Sequence, residues 1–162
     1  MIDNGRKRVI IEKISPEIDA GRYPVKRVPG EKMGIRANVI SDGHDIMTVM
    51  LLYRHESMKD WNQKELTLLY NDEWISDFTV HKKGTYFYTV NAWIDSFKTW
   101  RAGINKKIKA GVDISVDLEI GVNILEQAAA RATDMDAQDL KNAAESLREK
   151  KPDFVRIYEE DF

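Results

Sequence analysis

The chain contains no cysteine in its 162 residues. A disulfide framework is thereby excluded, and nothing in the sequence points to an oxidising compartment. The opening MIDNGRKRVII holds no apolar run long enough for a signal peptide or a membrane span, so a cytoplasmic protein without a membrane partner is the default. There is no Gly-rich phosphate loop, no GxSxG elbow and no metal-spaced Cys/His cluster. No cofactor is implied. Charge of one sign is also missing: the formal net charge is −2, which gives the whole chain no nucleic-acid character.

What the chain does have is core-forming material and an uneven charge. Hydrophobic residues make up 43% and include four Trp, enough for one domain, or one domain with an appendage. Residues 1–112 carry 19 Lys/Arg against 14 Asp/Glu, and residues 113–162 carry 6 against 13. A basic body followed by an acidic helical arm accounts for that asymmetry.

The body, residues 8–95, reads as short strands separated by turn residues. Residues 33–40 alternate Met33, Ile35, Ala37 and Val39 against Gly34, Arg36 and Asn38, the period of a half-buried strand. Residues 46–54 are almost wholly apolar and read as a central strand. Asn71-Asp72 between residues 66–70 and 73–80 marks a hairpin. In residues 84–94, Tyr86, Tyr88, Val90, Ala92 and Ile94 fall on one side, with Phe87, Thr89, Asn91 and Trp93 on the other. About six strands with no helix between them predict an antiparallel β-sandwich of immunoglobulin or fibronectin type, mainly β, followed by two to three helices. A parallel sheet is excluded for want of crossover connections.

After Asp95 the period lengthens. Phe97, Trp100, Ile104 and Ile108 form one helical stripe that ends at Gly111. Asp113 or Ser115 is expected to cap a second helix with Leu118, Val122, Leu125, Ala129 and Ala132 on one face. Asp136 is expected to cap a third, bearing Leu140, Ala143, Ala144 and Leu147 and ending before Pro152. That last stripe is mostly Ala, too thin to hold a free-standing bundle. Residues 96–162 thus read as a truncated helical arm, closing on the aromatic-bearing DFVRIYEEDF.

Chemistry-bearing residues are few. DGHD, Asp42 to Asp45, places two carboxylates around a histidine, but Asp-Gly between strands is a turn signal and no further ligand is set by spacing. No metal site is expected there, and no catalytic residue elsewhere. His55 and His81 stand alone near strand ends, and the Arg6-Lys7-Arg8 cluster reads as a solvated edge. Of the tryptophans, Trp74 and Trp93 fall within strands and at least one belongs to the core. Trp61, in the polar run KDWNQKE, is the one expected at the surface; with Tyr70 it is the candidate pair for stacking on a sugar. The stretch GRYPVKRVPGE, residues 21–31, packs two Pro, two Gly and three cations between strands. Pro24 and Pro29 fix φ and remove two donors, which suits a structured loop that leaves Lys26 and Arg27 free to meet carboxylates or phosphate on a neighbouring domain.

Five blocks then occur in order: ISPEIDAGRYPVKRVPGE, DGHD, NDEW, GTYFYTVNAWIDSFKTWR and KKIKAGVDISVDLEIGVNILEQAAARA. This series resembles the N-terminal region of the bacterial α-1,4-glucan:maltose-1-phosphate maltosyltransferases of the α-amylase superfamily, over residues 8–132. The resemblance implies a multidomain homodimer in which an N-terminal β-sandwich carries a helical segment and contributes much of the dimer contact. It also implies a (β/α)₈ barrel bearing the nucleophilic Asp and acid/base Glu of a retaining maltosyl transfer. A barrel takes about 250 residues, so none fits in this chain and no catalytic role is carried over. The expectation is a non-catalytic assembly or dimerisation domain whose partners are the barrel and a second copy. Phe97, Trp100 and Ile104, with Lys26 and Arg27, are the interface candidates. The alternative is a glucan-binding module built on Trp61 and Tyr70.

Overall fold

The computed structural model describes residues 8–149. The chain divides into two compact units, one ending at Ile94 and the other starting at Asp95. No helix among the described residues is long and apolar enough to cross a membrane.

Among the described residues the first unit has seven antiparallel strands: β1 (Val9–Ser15), β2 (Lys32–Ser41), β3 (Met47–His55), β4 (Asn62–Glu65), β5 (Thr67–Tyr70), β6 (Glu73–Thr79) and β7 (Tyr86–Ile94). They form a four-stranded sheet of order β1-β2-β6-β5 and a three-stranded sheet of order β4-β3-β7. The first has the strand order of an immunoglobulin constant-type sheet. The second gains β4 beside β3 and ends at β7, where the chain leaves as a helix instead of adding a last strand. Alternation decides which residues meet between the sheets. Met33, Ile35, Ala37 and Val39 of β2 are buried, and they share one core with Val49 and Leu51 of β3, Val90 of β7 and Trp74 and Phe78 of β6. Each fully buried aliphatic side chain contributes roughly 1.5–3 kcal/mol by leaving water.

Two local devices fix this arrangement. Asn71 and Asp72, at φ +44° and +63°, make the left-handed turn that joins β5 to β6, as Asn-Asp between strands predicts. Leu66, 2% exposed, sits between β4 and β5, so the chain pairs with β3 before it and with β6 after it. The sequence pattern does not announce β4, because NQKE is polar and exposed throughout and carries no alternation. Near the start of β7 the Tyr86 hydroxyl accepts from the backbone N–H groups of His81 and Lys82 at 3.1 and 3.2 Å. This resembles the tyrosine corner of immunoglobulin-like domains.

Among the described residues the second unit has three helices: α1 (Ser96–Lys109), α2 (Ser115–Ala129) and α3 (Asp134–Arg148). Asp95 caps α1 by accepting from Lys98 N–H at 2.8 Å, and Lys106, Lys107 and Lys109 in the last turn complement its dipole. Gly111, at φ +66°, ends it: Gly111 N–H bonds to Ile108 O and Val112 N–H to Lys107 O. The N-cap position of α2 is Ile114, not the expected Asp113 or Ser115, and Asp113 accepts from both Ser115 N–H and the Ser115 hydroxyl just ahead of the helix. The expected cap of α3 needs correction. Thr133, in an extended conformation, occupies the N-cap, and Asp136 lies inside the first turn with Asp134, where carboxylates favour the helix dipole. The thin stripe of α3 is nevertheless buried. Ala144 and Leu147, each 1% exposed, pack with Val122 and Leu125 of α2, and Phe97, Trp100, Leu118, Leu140 and Ala143 close around them. The three helices make a core of their own, with small Ala side chains allowing close approach. Pro152 and the DFVRIYEEDF end lie outside the described residues, as do Arg6 and Lys7.

Candidate functional site

The loop between β1 and β2 is structured, as its Pro and Gly content predicts. Asp19, Ala20 and Gly21 have positive φ and reverse the chain, bringing Ile18 into a β-bridge with Tyr23. At the far end Gly30 N–H donates to Val80 O at 2.7 Å and Val80 N–H to Glu31 O at 3.0 Å. Between these anchors Lys26 and Arg27 are exposed, and among the described residues Arg27 donates only to the Lys26 carbonyl, at 2.8 Å. The Tyr88 hydroxyl of β7 donates to the Pro16 carbonyl at the start of this loop. Burial, and then the negative charge of Glu17, push its phenol pKa up.

DGHD is a turn with a cationic clamp. Gly43 has φ +89°, and Arg8 donates to Asp42 at 3.0 Å and to Asp45 at 2.6 Å. The bond to Asp45, then that to Asp42, raises the Arg8 pKa further. The two carboxylates are therefore taken up by an arginine, and among the described residues no group of three or more His, Cys, Asp and Glu could hold a metal ion. His55 is likewise engaged, its ring nitrogens lying 2.8 Å from the Ser57 hydroxyl and 3.1 Å from the Lys83 carbonyl.

The aromatic candidates separate. Trp74 is in the core and Trp93 is exposed. Trp61 and Tyr70 are both exposed, but Trp61 leads into β4 of the three-stranded sheet and Tyr70 ends β5 of the four-stranded one. The expected pair is thus parted by the change of sheet between β4 and β5. Trp61 instead shares the guanidinium of Arg54 with Phe87: Arg54 Cζ lies 5.1 Å from the Trp61 ring centroid and 5.0 Å from that of Phe87. Nothing in sequence spacing announces this trio, because the register of β3 against β7 sets it by pairing Arg54 with Phe87.

The helical candidates point inward. Phe97 and Trp100 pack against the core of the second unit, and Trp100 Nε1 donates to the Asp117 carbonyl at 2.6 Å. Ile104 is fully buried. The apolar side chains on offer in this unit are others, among them Val116 and Ile120 one turn apart on α2. In the first unit, β5 exposes Leu68, Leu69 and Tyr70.

Residues 7–160 match the family model for α-1,4-glucan:maltose-1-phosphate maltosyltransferase, domain N/S. The chain belongs to this maltosyltransferase family. It is 47% identical over 137 residues to the α-1,4-glucan:maltose-1-phosphate maltosyltransferase of Chlorobaculum tepidum, covering 85% of this chain and 20% of that protein. It is 38% identical over 158 residues to the Myxococcus xanthus protein of the same name, covering 92% and 24%. The Methylacidiphilum infernorum maltosyltransferase is 37% identical over 148 residues, covering 91% and 22%. The chain thus spans between a fifth and a quarter of the length of these maltosyltransferases, and the match runs through the sandwich and the helices alike.

Proposed function

We propose that this chain is the non-catalytic assembly part of a maltosyltransferase that extends α-1,4-glucans from maltose 1-phosphate. Its partners are a catalytic (β/α)₈ barrel and a second copy of itself, and its setting is the cytoplasm, in keeping with a cysteine-free composition. The observation that carries the assembly role is apolar surface on both units: Leu68, Leu69 and Tyr70 along an edge strand, and Val116 and Ile120 on α2. Clustered exposed apolar side chains of this kind favour burial against protein. Lys26 and Arg27, on a loop anchored at both ends, are placed to add charge complementarity at such a contact. Phe97 and Trp100 serve it indirectly, by packing on the core of the helices.

Sedimentation of the 162-residue chain over a range of concentrations tests this. The native sequence is expected to self-associate, and Val116→Asp/Ile120→Asp to remain monomeric with unchanged circular dichroism. Equal behaviour of the two removes α2 from the interface. The chain is also expected to release no phosphate from maltose 1-phosphate in the presence of maltohexaose; release would end the non-catalytic assignment.

A further inference from the structure

His55 ends β3 and is paired with Tyr86 at the start of β7. Alternation puts its side chain on the inward face of the strand, in the row of Leu51 and Tyr53. Leu51 is fully buried, Tyr53 stacks on Phe78 with ring centroids 4.5 Å apart, and the half-buried His55 meets the Tyr86 ring in a T-shaped contact at 5.0 Å. The imidazole thus lies at the mouth of the core, between the β3–β4 turn and the β6–β7 loop.

Its hydrogen bonds assign its protonation state. The Ser57 backbone N–H donates to Nδ1 at 3.1 Å, and a backbone amide can only donate, so Nδ1 carries no proton. Nε2 lies 3.1 Å from the Lys83 carbonyl, which can only accept, so Nε2 carries the proton. The Ser57 hydroxyl, 2.8 Å from Nδ1, is a second donor to it. One species satisfies all three contacts, the neutral imidazole protonated at Nε2.

These bonds fasten two segments. Met58 N–H bonds to the His55 carbonyl at 2.9 Å, and Arg54 donates to the Met58 carbonyl at 2.7 Å, so the turn leading to Trp61 winds around His55. On the other side the Tyr86 hydroxyl holds the N–H groups of His81 and Lys82, and Glu56 N–H bonds to the Thr85 carbonyl at 2.8 Å. Gly84, at φ +131°, leaves room for the ring: a Cβ there would lie 2.5 Å from His55 Nε2 and against Glu56 Oε1.

A proton added at Nδ1 would set two N–H groups against each other. The Ser57 hydroxyl can rotate and accept, but the Ser57 amide cannot, and it loses its partner. The Lys83 bond survives, because an imidazolium still donates through Nε2. Among the charged groups around the ring, Glu56 favours the imidazolium, and Lys82 and Lys83 of the β6–β7 loop oppose it. β7 meets the ring with the Tyr86 ring, and the Arg54 guanidinium lies between Trp61 and Phe87. His81, in the same loop, titrates in the same range as His55.

We infer that His55 is a pH-sensitive clasp between residues 56–61 and 80–85. It is closed while the ring is neutral and opens on the Ser57 side alone as pH falls through the histidine range, about 6.5. Opening frees the turn that carries Trp61 and leaves the β6–β7 loop in place.

NMR of the isotope-labelled 162-residue chain from about pH 8 to about pH 5 tests it. At the alkaline end the His55 ring is expected as the Nε2–H tautomer. As the ring gains its proton, the Ser57 amide should lose exchange protection by up to about tenfold per pH unit, the limit for one proton. The Glu56 amide should keep its own. His55→Gln cannot titrate and should abolish the response, whereas Ser57→Ala, which retains the amide, and His81→Gln should preserve it. An Nδ1–H tautomer at the alkaline end overturns the clasp, as does Ser57 protection that stays constant while His55 titrates. A response that persists in His55→Gln belongs to another group and overturns it too. Loss of protection spread evenly over β3 and β7 is general unfolding and refutes a local release.

Discussion

Gly121 is the position where the helical unit's packing is most sharply tested. It lies on the buried face of α2, and a Cβ built there would meet the Trp100 indole of α1, 2.6 Å from Cε2, 2.8 Å from Cη2 and nearer still to Cζ2. The ring cannot simply withdraw, because Trp100 Nε1 is bonded to the Asp117 carbonyl at 2.6 Å. Gly121→Ala therefore sets two effects against each other. Relieving a helical glycine gains about 1 kcal/mol. Overpacking a filled site costs about 1–3 kcal/mol, and disturbing the indole hydrogen bond costs about 1 kcal/mol more. The loss wins, and the variant should be less stable by about 2 kcal/mol, the middle of these ranges. Gly103 of α1 supplies the control, since a Cβ there meets nothing within 4 Å. Gly103→Ala should stabilise the chain by about 0.5–1 kcal/mol from the same propensity term. Urea unfolding followed by helical circular dichroism gives both values through the midpoint at constant slope. In a Trp100→Phe background the smaller ring leaves room, and the cost of Gly121→Ala should largely vanish as a coupling in the double-mutant cycle. A Gly121→Ala variant as stable as the native chain, or more so, refutes the packing argument.

The sandwich offers three further tests. Asp72, at φ +63° in the β5–β6 turn, adopts a conformation that glycine favours, so Asp72→Gly should raise the urea midpoint by the equivalent of up to about 1 kcal/mol. Tyr88→Phe keeps the ring beside Phe78 but loses the bond to Pro16, and should lower stability by about 1 kcal/mol at neutral pH. Because burial raises the Tyr88 pKa, the folded state favours the neutral phenol. Native stability should hold below about pH 10 and fall above it, narrowing the gap to Tyr88→Phe; a gap that stays constant in melts from about pH 8 to about 11 contradicts this. The Lys64 ammonium, donating at 2.8 Å, together with the charge of Lys32, holds the Asp77 carboxyl below the usual range. Its contribution should be present above about pH 4 and disappear as pH falls, so Asp77→Asn should flatten the acid limb of the midpoint-versus-pH curve.

Much of the fold was legible because burial leaves a period in the sequence. β2 and β7 alternate in the order in which their side chains enter the core, and the Asn71-Asp72 pair announces its turn. β4 had no such trace. An exposed edge strand of four polar residues is held by what lies beside it, the pairing surface of β3 and the buried Leu66 that follows, and neither is a property of NQKE. The start of α3 slipped for a related reason. Three acidic residues, Asp134, Asp136 and Asp139, cluster near it, and composition alone does not say which of them lies outside the first turn.

The site was less legible, and the failures have one origin. Period tells which residues share a stripe or a face, but not what lies opposite. Phe97, Trp100 and Ile104 do form a helical stripe, yet a stripe whose Phe97 and Trp100 meet the core of α2 and α3 has the same spacing as one that meets another subunit. Trp61 and Tyr70 are neighbours in sequence and are parted by the change of sheet at Leu66. Trp61 and Phe87 are 26 positions apart and are joined by Arg54, whose place between them depends on the register of β3 with both of its neighbours. A one-residue slip of β7 against β3 would turn Phe87, Thr89 and Asn91 toward the core and Tyr88 and Val90 toward solvent. The burial of Val90 and the bond from Tyr88 to Pro16 forbid that slip. The residues that fix the outer Trp61–Arg54–Phe87 trio are therefore those on the inner face of the same strand, which is why the trio emerges only once the sandwich is assembled.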